Sequence, residues 1–322
     1  MLIKIPTNEE TKQANRFRTY LNYLLSISTF IGNSKDNPKS IIQNVIQSRT
    51  FSNIQGKDCD IEKIGRLFRN AWFTEVQINI SSQFEEFISY SNHWTPVQTY
   101  YSLYLALRAY FTSTGQDVSR EHASNLKVIG EEIKRRPSLF PQPWNIICIG
   151  NPGNSIPELL NLPKGVTILK VSSLTSSFRT TFWNSYALCL KTTRKRQIET
   201  LCNDWKIRFR KKRICPFEKK KFIENLSPTT LFHILYRLRI RSNYADADSF
   251  LLSDQNFNDA ISFHSALLNI GWCSLLVLEL LVARHIGKKK FDYLVNGFRK
   301  YEKNGWSDGL IGLRWDTIRN LW

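Results

Sequence analysis

The sequence predicts a mainly α protein. Apolar residues recur at helical spacing through most of the 322 positions, stretches that alternate with period two are few and short, and Gly and Pro fall as stops between the periodic runs. With 42% hydrophobic and 22% charged residues the composition is that of a globular chain and excludes a wholly disordered one. The length allows one large domain or two modest ones.

Taken in order, residues 8–31 place Phe17, Tyr20, Leu21, Leu24, Leu25 and Ile27 near helical spacing, and a Gly-Asn-Ser-Lys-Asp-Asn-Pro loop follows. Residues 40–72 read as short helices and turns, and Phe73 to Ile80 alternates as a short strand would. A short amphipathic helix covers Ser82 to Tyr90. Thr95-Pro96-Val97-Gln98 then has the form of a helix start, with Thr as cap and Pro in the first turn. That helix is apolar on nearly all sides and stops at Gly115. Ser119 caps a further helix to about Arg135, and the prolines from Pro137 to Pro143 break helical structure. Trp144–Ile149 and Gly165–Val171 read as short buried strands. Ser227-Pro228 opens a helix ending near Tyr244, and Ser253 caps a last long helix to about His285. The tail, 286–322, mixes Lys-rich patches with aromatic residues and suits a docked terminal helix.

Ala266 to Ala283 is apolar enough to raise a membrane span. Asn269, Gly271 and Glu279 within it favour a buried bundle helix instead, because a charge at membrane depth costs a few kcal/mol, so no membrane partner is expected. The six cysteines are widely scattered with no CxxC, CxxH or HxxxH, which predicts free thiols in a reducing cytoplasm, no metal and no cofactor. The first residues lack the charged head and apolar core of a signal peptide.

The net charge of +18 is concentrated. Residues 191–221 hold 13 basic and 3 acidic residues, more than half the excess in 31 positions, with Trp205, Phe209 and Phe217 interleaved. Such a field attracts a polyanion, and aromatic rings stack on exposed bases. Arg194, Lys195, Arg196, Lys206, Arg208, Arg210, Lys211, Lys212, Arg213, Lys219, Lys220 and Lys221 are the expected nucleic-acid contacts. An acidic protein partner, or a solvated helix with Ile198, Leu201, Trp205 and Ile207 packed inward, accounts for the same pattern.

The sharpest cluster runs from Arg237 to Asp248. Helical spacing sets Arg237 and Arg241 one turn apart on one face, with Arg239 elsewhere. Two guanidinium groups at a helix end beside Asn243 and Tyr244 suit phosphate recognition; Asp246 and Asp248 neutralising the arginines is the plainer alternative.

Tyr100-Tyr101-Ser-Leu-Tyr104, Ala109, Gly115 and Arg120-Glu121-His122, followed by Leu235-Tyr236-Arg237-Leu238-Arg239, Asn243-Tyr244-Ala245-Asp246 and the final helix, resemble the HEPN superfamily. The likeness is nearest to the small HEPN domains encoded beside minimal nucleotidyltransferases, or to a YaaC-like relative with a large insertion, and covers about residues 82–136 and 226–285. It implies a HEPN-like helical bundle (76–136 and 226–285), interrupted by a small mixed α/β basic insertion (137–225), with an N-terminal helical extension (1–75) and a C-terminal tail (286–322). It also implies a two-fold homodimer, RNA as ligand, a nucleotidyltransferase or effector protein as partner, and a toxin or antiviral defence role. Active members are metal-independent endoribonucleases whose motif is an arginine, four to six residues, then a histidine. Here Arg237, Arg241, Asn243, Tyr244 and Asp246 are the catalytic candidates, and Ser242 stands where the histidine is expected. Unactivated serine is a poor base, so another group such as Asp246, His122 or His264 substitutes, or the bundle binds without cutting as an interaction subunit.

Overall fold

The computed structural model describes residues 9–32, 38–116, 119–152, 158–168, 178–245, 257–302 and 304–322. The helices are α1 (Glu9–Ile31), α2 (Lys39–Ile46), α3 (Arg49–Ser52), α4 (Ile61–Ser81), α5 (Glu85–Ser91), α6 (Thr95–Ser113), α7 (His122–Arg135), α8 (Phe178–Arg208), α9 (Pro216–Asn225), α10 (Leu231–Ile240), α11 (Phe257–Ile286), α12 (Lys288–Tyr301) and α13 (Leu313–Leu321). Between α7 and α8 a small antiparallel hairpin pairs β1 (Ile147–Ile149) with β2 (Glu158–Leu160). The fold is mainly α, as the sequence predicts.

α11 is apolar on every side and therefore needs cover all round. α1, α2, α4, α5, α6, α12 and α13 supply it, and the shared core runs through Phe17, Trp72, Leu103, Leu267, Leu276 and Phe291. By length and composition α11 qualifies to cross a bilayer, but 89% of its most apolar window lies inside the protein. The segment 1–75 is thus no separate layer: α1 lies directly on α11, and the boundary expected at 75 falls inside α4.

Phe73–Ile80, read as a strand, is helix within α4. Its buried positions, Ile64, Leu67 and Phe68, Ala71 and Trp72, Glu75 and Val76, recur every three to four residues from Ile61 onward. The eight-residue alternation is too short a window to show that longer period. Thr95 is the first residue of α6 rather than its cap; its hydroxyl donates to the Ser91 carbonyl (3.0 Å) and lies 3.2 Å from His264 Nδ1. Gly115 follows the end of α6 at φ +71°, the left-handed conformation that glycine adopts without strain. β1 pairs with Glu158–Leu160; of the second expected strand, residues 165–168 are irregular and 169–171 lie outside the described residues, as does Ser253. The tail is more than one docked helix, since α12 buries Phe291, Val295 and Phe298 and α13 buries Arg314, Trp315 and Ile318.

Arg314 explains why that tail closes on the core. Its fully buried guanidinium donates twice to Glu75 (2.5 and 2.8 Å) and twice to Glu279 (2.8 and 2.8 Å), while Trp72 Nε1 donates to Glu279 Oε1 (2.7 Å). Burial pushes the Glu279 carboxyl up, and the facing guanidinium opposes that. Arg314→Ala leaves two carboxylates buried without a cation and is expected to destabilise the protein by about 3–5 kcal/mol in urea unfolding.

Three histidines give a second expectation. Burial holds His233 near 3 and His264 and His285 near 4, so all three are neutral in the folded chain. The unfolded chain protonates each near pH 6.5, and folded stability is therefore complete above that pH and lost as pH falls below it. Between pH 6.5 and 5 the unfolding free energy should drop with a slope approaching about 1.4 kcal/mol per pH unit for each histidine. Urea midpoints that stay constant across that range contradict the assignment.

Candidate nucleic-acid interface

The first half of α8 is core: Phe182, Trp183, Tyr186, Cys189 and Leu190 are buried, and Phe182 stacks on Phe30 of α1 at 4.0 Å. Burial takes the Cys189 thiol up to about 12. At Arg194 the helix leaves the bundle. Arg194, expected among the polyanion contacts, is 1% exposed and serves the protein itself. Its Nε donates to Gly150 O (2.7 Å), Nη1 to Ser227 O (3.0 Å) and Cys148 O (3.4 Å), and Nη2 to Ile223 O (3.3 Å) and Leu226 O (3.5 Å). The physical reason is that the strand end and the C-terminus of α9 leave carbonyls unsatisfied at one point, and a planar five-donor fork matches them. β1 is held there from its other side by a two-way backbone bridge between Cys148 and Thr229, 2.9 Å each way.

Beyond Arg194 the chain forms a two-helix arm: the rest of α8, a turn that passes Arg210 in the left-handed conformation (φ +51°), and α9, capped by Cys215. Residues 195–225 contain eleven Lys and Arg against four Asp and Glu. Lys195, Arg196, Arg208, Arg210, Lys211, Lys212, Arg213, Lys219, Lys220 and Lys221 are exposed, and Lys206 is half-buried. Glu199 meets Lys195 at 4.0 Å and Arg196 at 3.7 Å, and Glu224 meets Lys220 at 3.8 Å; exposed pairs of this length are weak. Apolar groups stand among these cations. Ile207 is 76%, Phe209 50% and Phe217 72% exposed, whereas Ile198 and Cys202 are buried. The inward packing expected of Leu201 and Ile207 therefore does not occur.

The arm's α8 has an open cleft on each side, and helical period sorts its residues between them. Arg196, Gln197, Thr200 and Asp204 face a cleft of about 780 Å³ whose other walls include Lys127 of α7 and Arg237 and Arg241 of the α10 end. Lys191, Lys195, Ile198, Cys202 and Lys206 face a cleft of about 740 Å³ on the opposite side. Arg237 and Arg241 thus line one cleft together with Arg196. Arg237 Nη1 donates to Thr192 Oγ1 (3.0 Å) and Thr193 Oγ1 (3.2 Å), while its buried Nε has no acceptor among the described residues. His233 shares this cleft, but its Nδ1 is tied to Thr230 in a capping box. Ser242 is buried and donates to Arg239 O (3.2 Å), so it offers no group to a ligand. Asn243 is half-buried in the π-turn Arg241–Ala245, which also contains the Tyr244 backbone; the Tyr244 side chain and all of Asp246 lie outside the described residues.

A second constellation adjoins the cleft through Tyr236, which lines it. His122, first residue of α7, has four tyrosine rings around it, with centroids at 5.4 Å (Tyr100), 5.6 Å (Tyr101), 4.4 Å (Tyr104) and 5.6 Å (Tyr236). Tyr100 OH lies 3.1 Å from His122 Nδ1, and Arg239 Nη2 donates to Tyr101 OH at 2.9 Å. Burial, with the Arg239 charge second, holds the imidazole below its ordinary pKa. The sequence names His122 only as one of several groups that could replace the missing histidine and sets Arg239 aside; residues 117 positions apart leave no spacing signal, and the shared tyrosines are the one hint. Comparison with family models, curated proteins and solved structures returns no match to this chain.

Arg194→Ala should remove the donor shown for four carbonyls and leave Cys148 O with its Thr229 bond alone, lower stability by about 2–4 kcal/mol, and speed amide exchange in α9 and 227–229 above that in α11. Uniform exchange across the chain refutes the anchoring role.

Proposed function

We propose that this protein binds RNA, with the arm as its primary contact and the arginine cleft holding the strand. The observation that supports this reading is the arm itself: eleven cations against four carboxylates, with Ile207, Phe209 and Phe217 exposed among them. Solvation alone does not require exposed rings, and a strand with unpaired bases uses both groups, phosphates on the cations and bases on the rings. From the arm, Arg196, Lys127, Arg237 and Arg241 extend positive charge into a concave path, and Arg237 Nε is a buried donor in need of an acceptor.

The His122 constellation favours extending this reading to strand cleavage. A neutral imidazole takes the proton of a ribose 2′-hydroxyl as that oxygen attacks phosphorus, and Arg239 stabilises the phosphorane charge. Tyr101, whose hydroxyl oxygen accepts from Arg239, donates its O–H proton to the departing 5′-oxygen. The products are a 2′,3′-cyclic phosphate and a 5′-hydroxyl end. This places the base on α7, in compensation for Ser242, and gives Arg237 and Arg241 the task of holding the neighbouring phosphates.

Fluorescence anisotropy with labelled single-stranded RNA tests binding. If about six cations meet phosphates, log K should fall against log salt with a slope of roughly −4 to −5. Replacing Arg208, Arg210, Lys211, Lys212 and Arg213 with Ala should bring it to about −1. Absence of binding at low salt refutes the function. His122→Ala should reduce cleavage by about 10²–10⁴-fold with strand affinity unchanged; full cleavage by that variant moves the chemistry elsewhere.

A further inference from the structure

The cleft on the opposite side of α8 differs from the arginine cleft in chemistry, and its Lys195, Lys206 and Lys219 are also cations of the arm. Lys191, Lys195 and Lys206 of α8 and Lys219 of α9 line it, with Glu199 as its carboxylate. Its apolar lining comes from Leu188, Ile198, Cys202, Ile214 and Pro152, and Asn203 and Asn151 line it as well. At about 740 Å³ it falls within the range of small-molecule sites and is large for a simple anion.

We propose that this cleft binds a nucleoside triphosphate. Four ammonium groups on flexible stems suit a compact run of phosphates, which they meet as point charges, whereas the opposite cleft presents planar guanidinium forks. Lys195 and Lys206 are eleven residues apart, about 16 Å along the helix. An extended nucleotide spans such a distance and a single inorganic anion does not. The aliphatic lining of Ile198 and Ile214 accepts the faces of a base, the asparagine amides meet its polar edge, and Glu199 accepts from ribose hydroxyls.

The site shares no lining residue with the arginine cleft, but it shares three lysines with the arm, so the test includes competition with RNA. Isothermal titration of the full chain with ATP and GTP, with inorganic triphosphate and with adenosine, supplies the test. At least one nucleotide should bind with one-to-one stoichiometry, more than tenfold tighter than triphosphate, and adenosine should be weaker still. Lys191→Ala with Lys219→Ala should lower nucleotide affinity at least tenfold, with the circular dichroism spectrum unchanged. Arg237→Ala with Arg241→Ala should leave it unaltered. Equal affinity for triphosphate, no saturable binding, or loss of nucleotide binding in the Arg237/Arg241 variant overturns the assignment. So does a short RNA that competes one-for-one with the nucleotide and loses affinity in the lysine variant alone, because the cleft is then a strand site.

Discussion

The guanidinium of Arg194 is the constraint on which the functional half of the molecule depends. It is a buried charge, and its partners are backbone carbonyls from β1, from the loop after it, from the end of α9 and from the approach to α10. Four chain segments are thereby fixed to one point of α8. Desolvation pushes the Arg194 pKa down, but arginine stays charged over any accessible pH, so the arrangement does not switch off. The base of the arm is held by polar contacts where the rest of the protein is held by packing. That division sets the arm's geometry, and with it the positions of both clefts.

The molecule's other buried arginine solves the same problem by different means. Arg314 faces two carboxylates and joins α13 to α4 and α11, so the tail is bound to the core by charge as well as by Phe291, Trp315 and Ile318. A pair of carboxylates suits a site between whole helices, where no backbone acceptor is free. Carbonyls suit a site at helix and strand ends, where several are.

What the sequence showed follows from range. Periodicity and stop signals are local, and they located α6, α7, α10 and α11 and the end of α6 at Gly115. The grouping of Arg237 with Arg241 on one face, apart from Arg239, is likewise a property of ten consecutive residues, and the structure keeps it. Failures occurred where a tertiary partner decided the outcome. Phe73–Ile80 became helix because its apolar groups continue a stripe begun at Ile61. Thr95 gave its hydroxyl to Ser91 and His264 instead of capping. Arg194 is indistinguishable by charge from Lys195 and Arg196, its neighbours in sequence, yet it points the opposite way, and only the carbonyls gathered beneath α8 explain why. His122 and Arg239 are brought together by the packing of α6, α7 and α10, which no single stretch encodes.

The distal part of α8 then carries the functional argument one step further. A helix that is polar nearly all round gains little from burial, and this one rests on Ile198 and Cys202 with a cleft on either side. Its support is concentrated at Arg194, at one end. Exposed cations along the free length repel one another, with four carboxylates to offset eleven charges. Segments of this kind belong to the low-stability end of a protein, and whatever neutralises them also orders them. A polyanion bound as proposed acts on the helix as well as on the site: it removes the repulsion and orders the side chains it meets. On that proposal, the charge density that makes the arm costly to hold in isolation is also what binds the ligand.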